Sequence, residues 1–146
     1  MKILIINGPN LNLLGKREPE IYGRGTYAAL CRHIANYTAG RGHQVRFVQS
    51  NHEGALIDAI QQADEDGTEG IVINPAAYTH YSYAIFDALR AVSVPAVEVH
   101  LTDIAAREPW RQVSVTAAAC VGMIVGQGFD GYLRAIELLE QQERCI

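Results

Sequence analysis

Glu98 and His100 stand two residues apart in the run Ala96–His100. In an extended strand that spacing sends both side chains to one face while Val97, Val99 and Leu101 go to the other. A carboxylate inside a strand is costly unless paired, and an imidazole beside it is a suitable partner, held in one tautomer and made a better proton carrier. Thr102 continues the polar face. The competing reading of the pair is a buried structural contact or an exposed strand end. A second set lies between Gly8 and Gly25, a connection with four glycines and two prolines that carries Arg17 and Tyr22. It is long for a strand-to-helix turn and able to move as a lid. A free tyrosine titrates near ~10, so one that serves as a base near neutrality needs a cation beside it, which Arg17 can supply. An ordinary surface loop is the alternative. A third set follows Asn74-Pro75: His80 and Asp87 are seven apart, expected at the start and middle of a helix and nearly on one face. His80 could equally cap that helix, and Asp87 could be a solvated carboxylate.

These residues need a frame that brings them together, and the alternation of apolar runs with helical periods describes one. Strands are expected at Lys2–Ile6, Gln44–Gln49, Gly70–Asn74, Ala96–His100 and Cys120–Val125. They are rich in Ile and Val and apolar on both faces, as buried parallel strands are. A helix from about Glu53 to Ala63 is expected to open with a capping box, Ser50-x-x-Glu53, with Leu56, Ile57 and Ile60 on one face and Gly67 ending the connection. Another follows Ser82 with Ile85, Ala88 and Leu89 inward, and a last one follows Gly131 with Leu133, Ile136 and Leu139 packed down. The fold class is α/β, a flavodoxin-like doubly wound sandwich on a five-stranded parallel sheet. In such sheets ligands bind outside the carboxyl ends of the strands. Asn10, Asn74 and the Glu98–Thr102 segment all fall there. The run Gly126-Gln127-Gly128-Phe129-Asp130-Gly131 fits a dinucleotide-binding pattern. It belongs to the last strand, with no room beyond for the strand whose acidic residue would bind a ribose, so it reads as a tight turn.

A length of 146 residues suits one domain with its own core. The net charge of -4 and the scattered Lys and Arg give no basic stripe, which speaks against a nucleic-acid partner. Cys31, Cys120 and Cys145 lie far apart with no Cys-x-x-Cys, so neither a disulfide framework nor a metal site is suggested, as fits a reducing cytoplasm. The apolar stretch Val115–Val125 is too short to span a bilayer. A light charge content, 19% of residues, hints that some surface meets copies of itself.

The run Asn7-Gly8-Pro9-Asn10-Leu11-Asn12-Leu13-Leu14-Gly15-Lys16-Arg17-Glu18-Pro19, followed by Tyr22-Gly23, resembles the opening signature of the type II dehydroquinases. The resemblance continues through Gln49-Ser50-Asn51, Ile73-Asn74-Pro75, Tyr78-Thr79-His80, Asp87-Ala88-Leu89, Glu98-Val99-His100-Leu101 and Ala106-Arg107-Glu108. It implies dehydration of 3-dehydroquinate to 3-dehydroshikimate without a cofactor or metal. On it, Tyr22 is the base that takes a proton beside the substrate ketone, and Arg17 favours its phenolate. Asn10 holds a water against the enolate oxygen, and His100, oriented by Glu98, is the acid to the departing hydroxyl. Asn74, His80, Arg111 and the Leu101-Thr102 segment hold substrate, while Asp87 reaches a neighbour's site in a dodecamer of four trimers.

Several positions depart from the family's common pattern: Ala76 stands where Gly is usual, Tyr81 where Thr is usual, and Phe86 where Arg precedes the aspartate. Asp103, Ala105, Gln112 and Val113 also differ. They flank the catalytic groups without replacing one. A second route to the same product, through a lysine Schiff base, does not suit a chain whose only lysines are Lys2 and Lys16, neither placed for a desolvated pocket. Two other classes fit the sequence: a flavodoxin-like module that binds a flavin or phosphate without turnover, which a yellow colour would reveal, and an inactive relative kept as a scaffold.

Overall fold

The computed structural model describes residues 1–145. Five strands, β1 (Lys2–Asn7), β2 (Gln44–Gln49), β3 (Gly70–Asn74), β4 (Ala96–His100) and β5 (Gly122–Val125), form one sheet in the order β2-β1-β3-β4-β5. Every pairing is parallel. This is the flavodoxin-like doubly wound order, with its reversal between β1 and β3. All five residues of β3 and of β4 are buried, the apolar ones in the two cores and Asn74, Glu98 and His100 among the buried polar groups. The expected strand ends shift at two places: β1 extends to Asn7, which pairs in register with Asn74, and β5 begins at Gly122 rather than Cys120.

Five helices cover the sheet: α1 (Pro19–Tyr22), α2 (Tyr27–Gly40), α3 (Glu53–Glu65), α4 (Tyr83–Ala91) and α5 (Asp130–Arg144). The strands alternate their side chains between two cores. Ile3, Ile5, Val72, Val97 and Val99 pack with Leu30 and Ile34 of α2 and with Tyr132, Ala135, Ile136 and Leu139 of α5. Leu4, Ile6, Ile71 and Ile73 pack with Leu56 and Ile60 of α3 and with Ile85 and Leu89 of α4. Each fully buried aliphatic side chain contributes up to ~1.5–3 kcal/mol, so these faces fix the register in which the catalytic residues emerge.

Local caps decide where the helices begin. The Thr26 hydroxyl accepts the Ala29 N–H at the start of α2, and the Ser82 hydroxyl accepts the Ile85 N–H at the start of α4. The capping box expected at α3 does not form. Helix α3 starts at Glu53 itself with His52 as its cap, two residues later than a capping box on Ser50 requires; Ser50 accepts the His52 N–H instead, and the Glu53 carboxylate accepts the Ser82 hydroxyl at 2.6 Å. That contact ties the starts of α3 and α4 together. Ile57 and Leu133 lie half-buried on the flanks of their helices, while Tyr132, not singled out from the sequence, is fully buried. Helix α2, likewise not singled out, runs 14 residues on the strength of Leu30 and Ile34.

Candidate active site

The carboxyl ends of β1, β3 and β4 open into a cleft of about 520 Å³, open to solvent, lined among others by Asn10, Arg17, Tyr22, Asn74, His100, Leu101, Thr102, Arg107 and Arg111.

The connection after β1 forms one wall. It is less free than a loose lid: Leu11 and Leu14 are buried in the core, and α1 gives its second half regular structure. Asn10 takes the left-handed backbone conformation, φ 69°, and its N–H donates to Asn51 Oδ1 at 3.0 Å. Asparagine tolerates that conformation better than most residues. Gly8 lets this wall sit directly on β3. Its N–H donates to the Asn74 carbonyl at 2.8 Å, and a Cβ there would lie 2.5 Å from the Pro75 carbonyl oxygen.

Tyr22 projects from α1 between two guanidinium groups. Arg17 lies 5.0 Å from the ring centroid and Arg107 5.2 Å. Both terminal nitrogens of Arg107 donate to the phenol oxygen, each at 3.2 Å. Arg17, expected to be the cation that serves Tyr22, therefore stacks on the ring, while Arg107 is the group that meets the oxygen. Sequence reasoning quoted Arg107 only as part of a motif; the 85 positions between it and Tyr22 hid the contact. Two donors from one planar guanidinium are thus aimed at the phenol oxygen. Burial acts to lower the Arg107 pKa, but its bonds to Tyr22 and the charges around it prevail and hold it above its ordinary value.

The Glu98–His100 pair emerges on one face of β4 as the spacing requires. Glu98 is wholly buried and His100 nearly so, with His100 Nε2 2.6 Å from Glu98 Oε1. Because an ionised carboxylate only accepts, Nε2 carries the proton and Nδ1 is the ring nitrogen left for the cleft. Ser114 and Thr116, from the segment before β5, also donate to Glu98, at 2.8 and 2.7 Å. Neither was singled out from the sequence.

At the end of β3 the Asn74 side chain is fixed on both sides. Its Oδ1 accepts the Ala76 N–H at 3.0 Å, and its Nδ2 donates to the Tyr132 hydroxyl, which in turn donates to Asn7 Oδ1 at 2.6 Å. So anchored, Asn74 lines the cleft. Ala76 itself has φ 55°. An alanine held there is strained by roughly 1–2 kcal/mol, the physical reason glycine suits this position.

Not every expected site residue lines the cleft. His80 is not on α4 but ends the 3-10 turn Ala76–His80, because Ser82 provides the cap and starts the helix after it. Its Nδ1 donates to the Val113 carbonyl at 2.8 Å, its ring meets Trp110 edge-on, and burial holds its pKa below the ordinary value. Asp87 lies exposed on the outer side of α4 and contributes nothing to the cleft of its own chain. Arg111 lines the cleft with Nε on Glu108 at 2.6 Å and its guanidinium over the Trp110 ring. Thr102 Oγ1 accepts from Arg107 at 3.4 Å. The Gly126–Gly131 run makes turns, with Gly126 and Gly128 both at positive φ. Among the described residues, no group of three or more His, Cys, Asp and Glu is gathered around a metal position, and no helix is long and apolar enough to cross a membrane.

A phenol under a guanidinium faces the same cleft as an imidazole backed by a buried carboxylate, beside two further arginines. Fold and cleft together define an α/β enzyme of the acid–base class, suited to a small anionic substrate. The model of the family described as Dehydroquinase class II matches residues 1–140, and the chain belongs to that family. It is 51% identical over 140 residues to a 3-dehydroquinate dehydratase of Clostridium beijerinckii and 53% identical over 140 residues to one of Clostridium acetobutylicum, covering 96% of each chain in both comparisons. Its fold matches the crystal structure of a type II dehydroquinase from Butyrivibrio crossotus with a TM-score of 0.95 at 55% identity, covering 96% of this chain and 97% of that one. A 3-dehydroquinate dehydratase-like protein from Bifidobacterium longum is more distant, with a TM-score of 0.70 at 30% identity over 97% of this chain and 96% of its own.

Proposed function

We propose that this chain is a 3-dehydroquinate dehydratase, a hydro-lyase that removes water from 3-dehydroquinate by anti elimination through an enolate, in the shikimate pathway of aromatic amino acid biosynthesis or in quinate breakdown. The observation that carries the reading is the pairing across one cleft of Tyr22, its oxygen held by both terminal nitrogens of Arg107, with His100, its Nε2 committed to Glu98. These are a base and an acid able to work at two positions of one substrate.

The Tyr22 phenolate takes a proton from the carbon beside the ketone, and the electron pair moves onto the ketone oxygen as an enolate. A water held by Asn10 donates to that oxygen, stabilising charge where it develops. The enolate re-forms the carbonyl and expels the β-hydroxyl, which takes the Nδ1 proton of the His100 imidazolium and leaves as water, while Nε2–H stays on Glu98. A conjugated enone remains. Tyr22 then holds one extra proton and His100 lacks one, so proton transfer between them through solvent resets the site. The substrate carboxylate binds at Arg111, which leaves Glu108 to do so. Asn74, His80 and the Leu101-Thr102 segment hold the hydroxyls.

The working assembly in this reading is a dodecamer of four trimers, in which Asp87 of each chain completes a neighbour's cleft. Its exposure on α4 supports this, as do the large apolar side chains of Tyr81, Tyr83, Trp110 and Val113, each more than half exposed. The enzyme works in the cytoplasm, where its free cysteines remain reduced. The direct test is the ultraviolet absorbance of the enone when purified protein meets 3-dehydroquinate. A rise that Tyr22→Phe and His100→Ala both abolish is expected. No rise from folded wild type overturns the reading, and light scattering that shows a stable, active monomer overturns the assembly.

A further inference from the structure

Glu98 sits where no water reaches it, yet it accepts three hydrogen bonds. Oε1 takes His100 Nε2 at 2.6 Å and the Ser114 hydroxyl at 2.8 Å, and Oε2 takes the Thr116 hydroxyl at 2.7 Å. The two hydroxyls lie 3.3 Å apart, but each has a single proton and both protons go to the carboxylate, so neither donates to the other. The Ser114 oxygen is further committed as acceptor of the Ala117 N–H at 3.0 Å, which fixes its rotation. Three donors converge on one carboxyl group, an arrangement that a carboxylate, which only accepts, satisfies in full.

The other polar groups around Glu98 agree. Arg111 lines the cleft, and the charges of His100, Arg111 and Glu98 all act on His80. Cys120, behind Glu98, gives its thiol proton toward the Thr116 carbonyl at 3.7 Å. Burial first, and then the negative charge of Glu98, push that thiol up to about 12. Neither Ser114 nor Thr116 lines the cleft, so neither can touch substrate.

We propose that Ser114 and Thr116 are positioning residues for the acid step: their hydroxyls hold Glu98 as the acceptor of His100 Nε2–H, so that the second ring proton, on Nδ1, is the one the departing hydroxyl takes and the Nε2–H tautomer is the form left behind. The inference rests on the dehydratase reading. It adds that the segment Val113–Thr116 is part of the acid machinery, reaching the cleft only through Glu98. The same segment holds His80 through the Val113 carbonyl and the 3-10 turn through the Val115 N–H on the Thr79 carbonyl at 2.8 Å, so one short stretch aligns both imidazoles.

The test compares Thr116→Val, which keeps the branched shape and loses the donor, with Thr116→Ser, which keeps the donor, and adds Ser114→Ala and the double variant T116V/S114A. Steady-state kinetics on 3-dehydroquinate are read beside thermal unfolding and the nitrogen-15 resonances of the His100 imidazole, assigned against His100→Gln. Thr116→Val is expected to lower kcat ~10- to 100-fold with KM changed less than about threefold, and Thr116→Ser to restore most of kcat. The double variant is expected to show a mixture of ring tautomers where wild type shows one. An unchanged kcat in Thr116→Val overturns the proposal. So does a kcat loss that tracks a lowered unfolding midpoint and that Thr116→Ser does not restore, or a double variant that keeps the wild-type tautomer. If wild type shows no turnover, the dehydratase reading falls, and the tautomer measurement still decides the clamp on its own.

Discussion

The two ends of the sheet are built from similar residues and behave differently. At the amino end of the strands, the Met1 ammonium donates to His43 Nδ1 at 2.9 Å, His43 Nε2 lies 2.6 Å from Glu140, and Arg41 grips the same carboxylate through two nitrogens. Lys2 and Arg46 meet Asp66 beside them. Each of these charged side chains is spent on a neighbour. At the carboxyl end, Arg17, Arg107 and Arg111 share only Glu18 and Glu108, both about half exposed and therefore easily displaced. All three non-glycine residues with positive φ, among those described, are at this end: Asn10, Glu18 and Ala76. Strain and unspent cations gather where a substrate anion can use them, while the opposite end spends the same chemistry on holding the fold.

The largest effect should come from removing the cation at the phenol oxygen. Arg107→Ala is expected to cost ~10²–10³-fold in kcat, comparable with the loss of an oxyanion donor, while Arg17→Ala costs less. Stopped or initial-rate enone absorbance checks this. Equal losses from the two substitutions would erase the distinction between a residue that meets the oxygen and one that stacks on the ring.

Gly8→Ala is the structural counterpart, since its methyl group would press on the Pro75 carbonyl where β1 and β3 meet under the cleft. A cost of about 2–3 kcal/mol in chemical denaturation is expected. Gly54→Ala, where nothing lies within 4 Å of the added methyl, serves as control.

At the opposite end the effect is on stability alone. Hydrogen bonding from Arg41, and then from His43, holds the Glu140 carboxyl down at about 2, against an ordinary value of 4.5. A folded value below the unfolded one means that this stabilisation is fully present above pH ~4.5 and is lost as the pH falls toward 2. Glu140→Gln should therefore lower the unfolding free energy by about 1–2 kcal/mol near neutrality, after allowance for the partly exposed Arg41, and lose less on acidification than wild type. Thermal melts across that pH range measure it; a drop in kcat at neutral pH would contradict the division of labour between the two ends.

The smallest change is Ala76→Gly. Relief of the left-handed alanine should raise stability by about 0.5–1 kcal/mol, with kcat within about twofold, because Asn74 keeps both anchoring bonds. A loss of activity instead would show that the methyl group itself shapes the cleft.

The sequence alone determined what depends on short-range periodicity. Five runs became five parallel strands; β1, β3 and β4 are buried on both faces as expected, while the edge strands β2 and β5 are only partly buried, and the spacing of two put Glu98 and His100 on one face. The Arg17–Tyr22 proximity was legible because the two lie five positions apart in one connection, with α1 covering the second part of the gap. Capping was less so: Ser50-x-x-Glu53 has the right letters, but where α3 begins depends on Ser82 of α4 drawing Glu53 to itself. Only the tertiary structure decided which arginine meets the Tyr22 oxygen, which hydroxyls surround Glu98, and that Tyr132 links Asn7 to Asn74 across 125 positions. It also decided that Asp87 faces away from its own cleft. Those contacts join different elements, so they follow from strand order and helix packing, and no spacing along the chain encodes them.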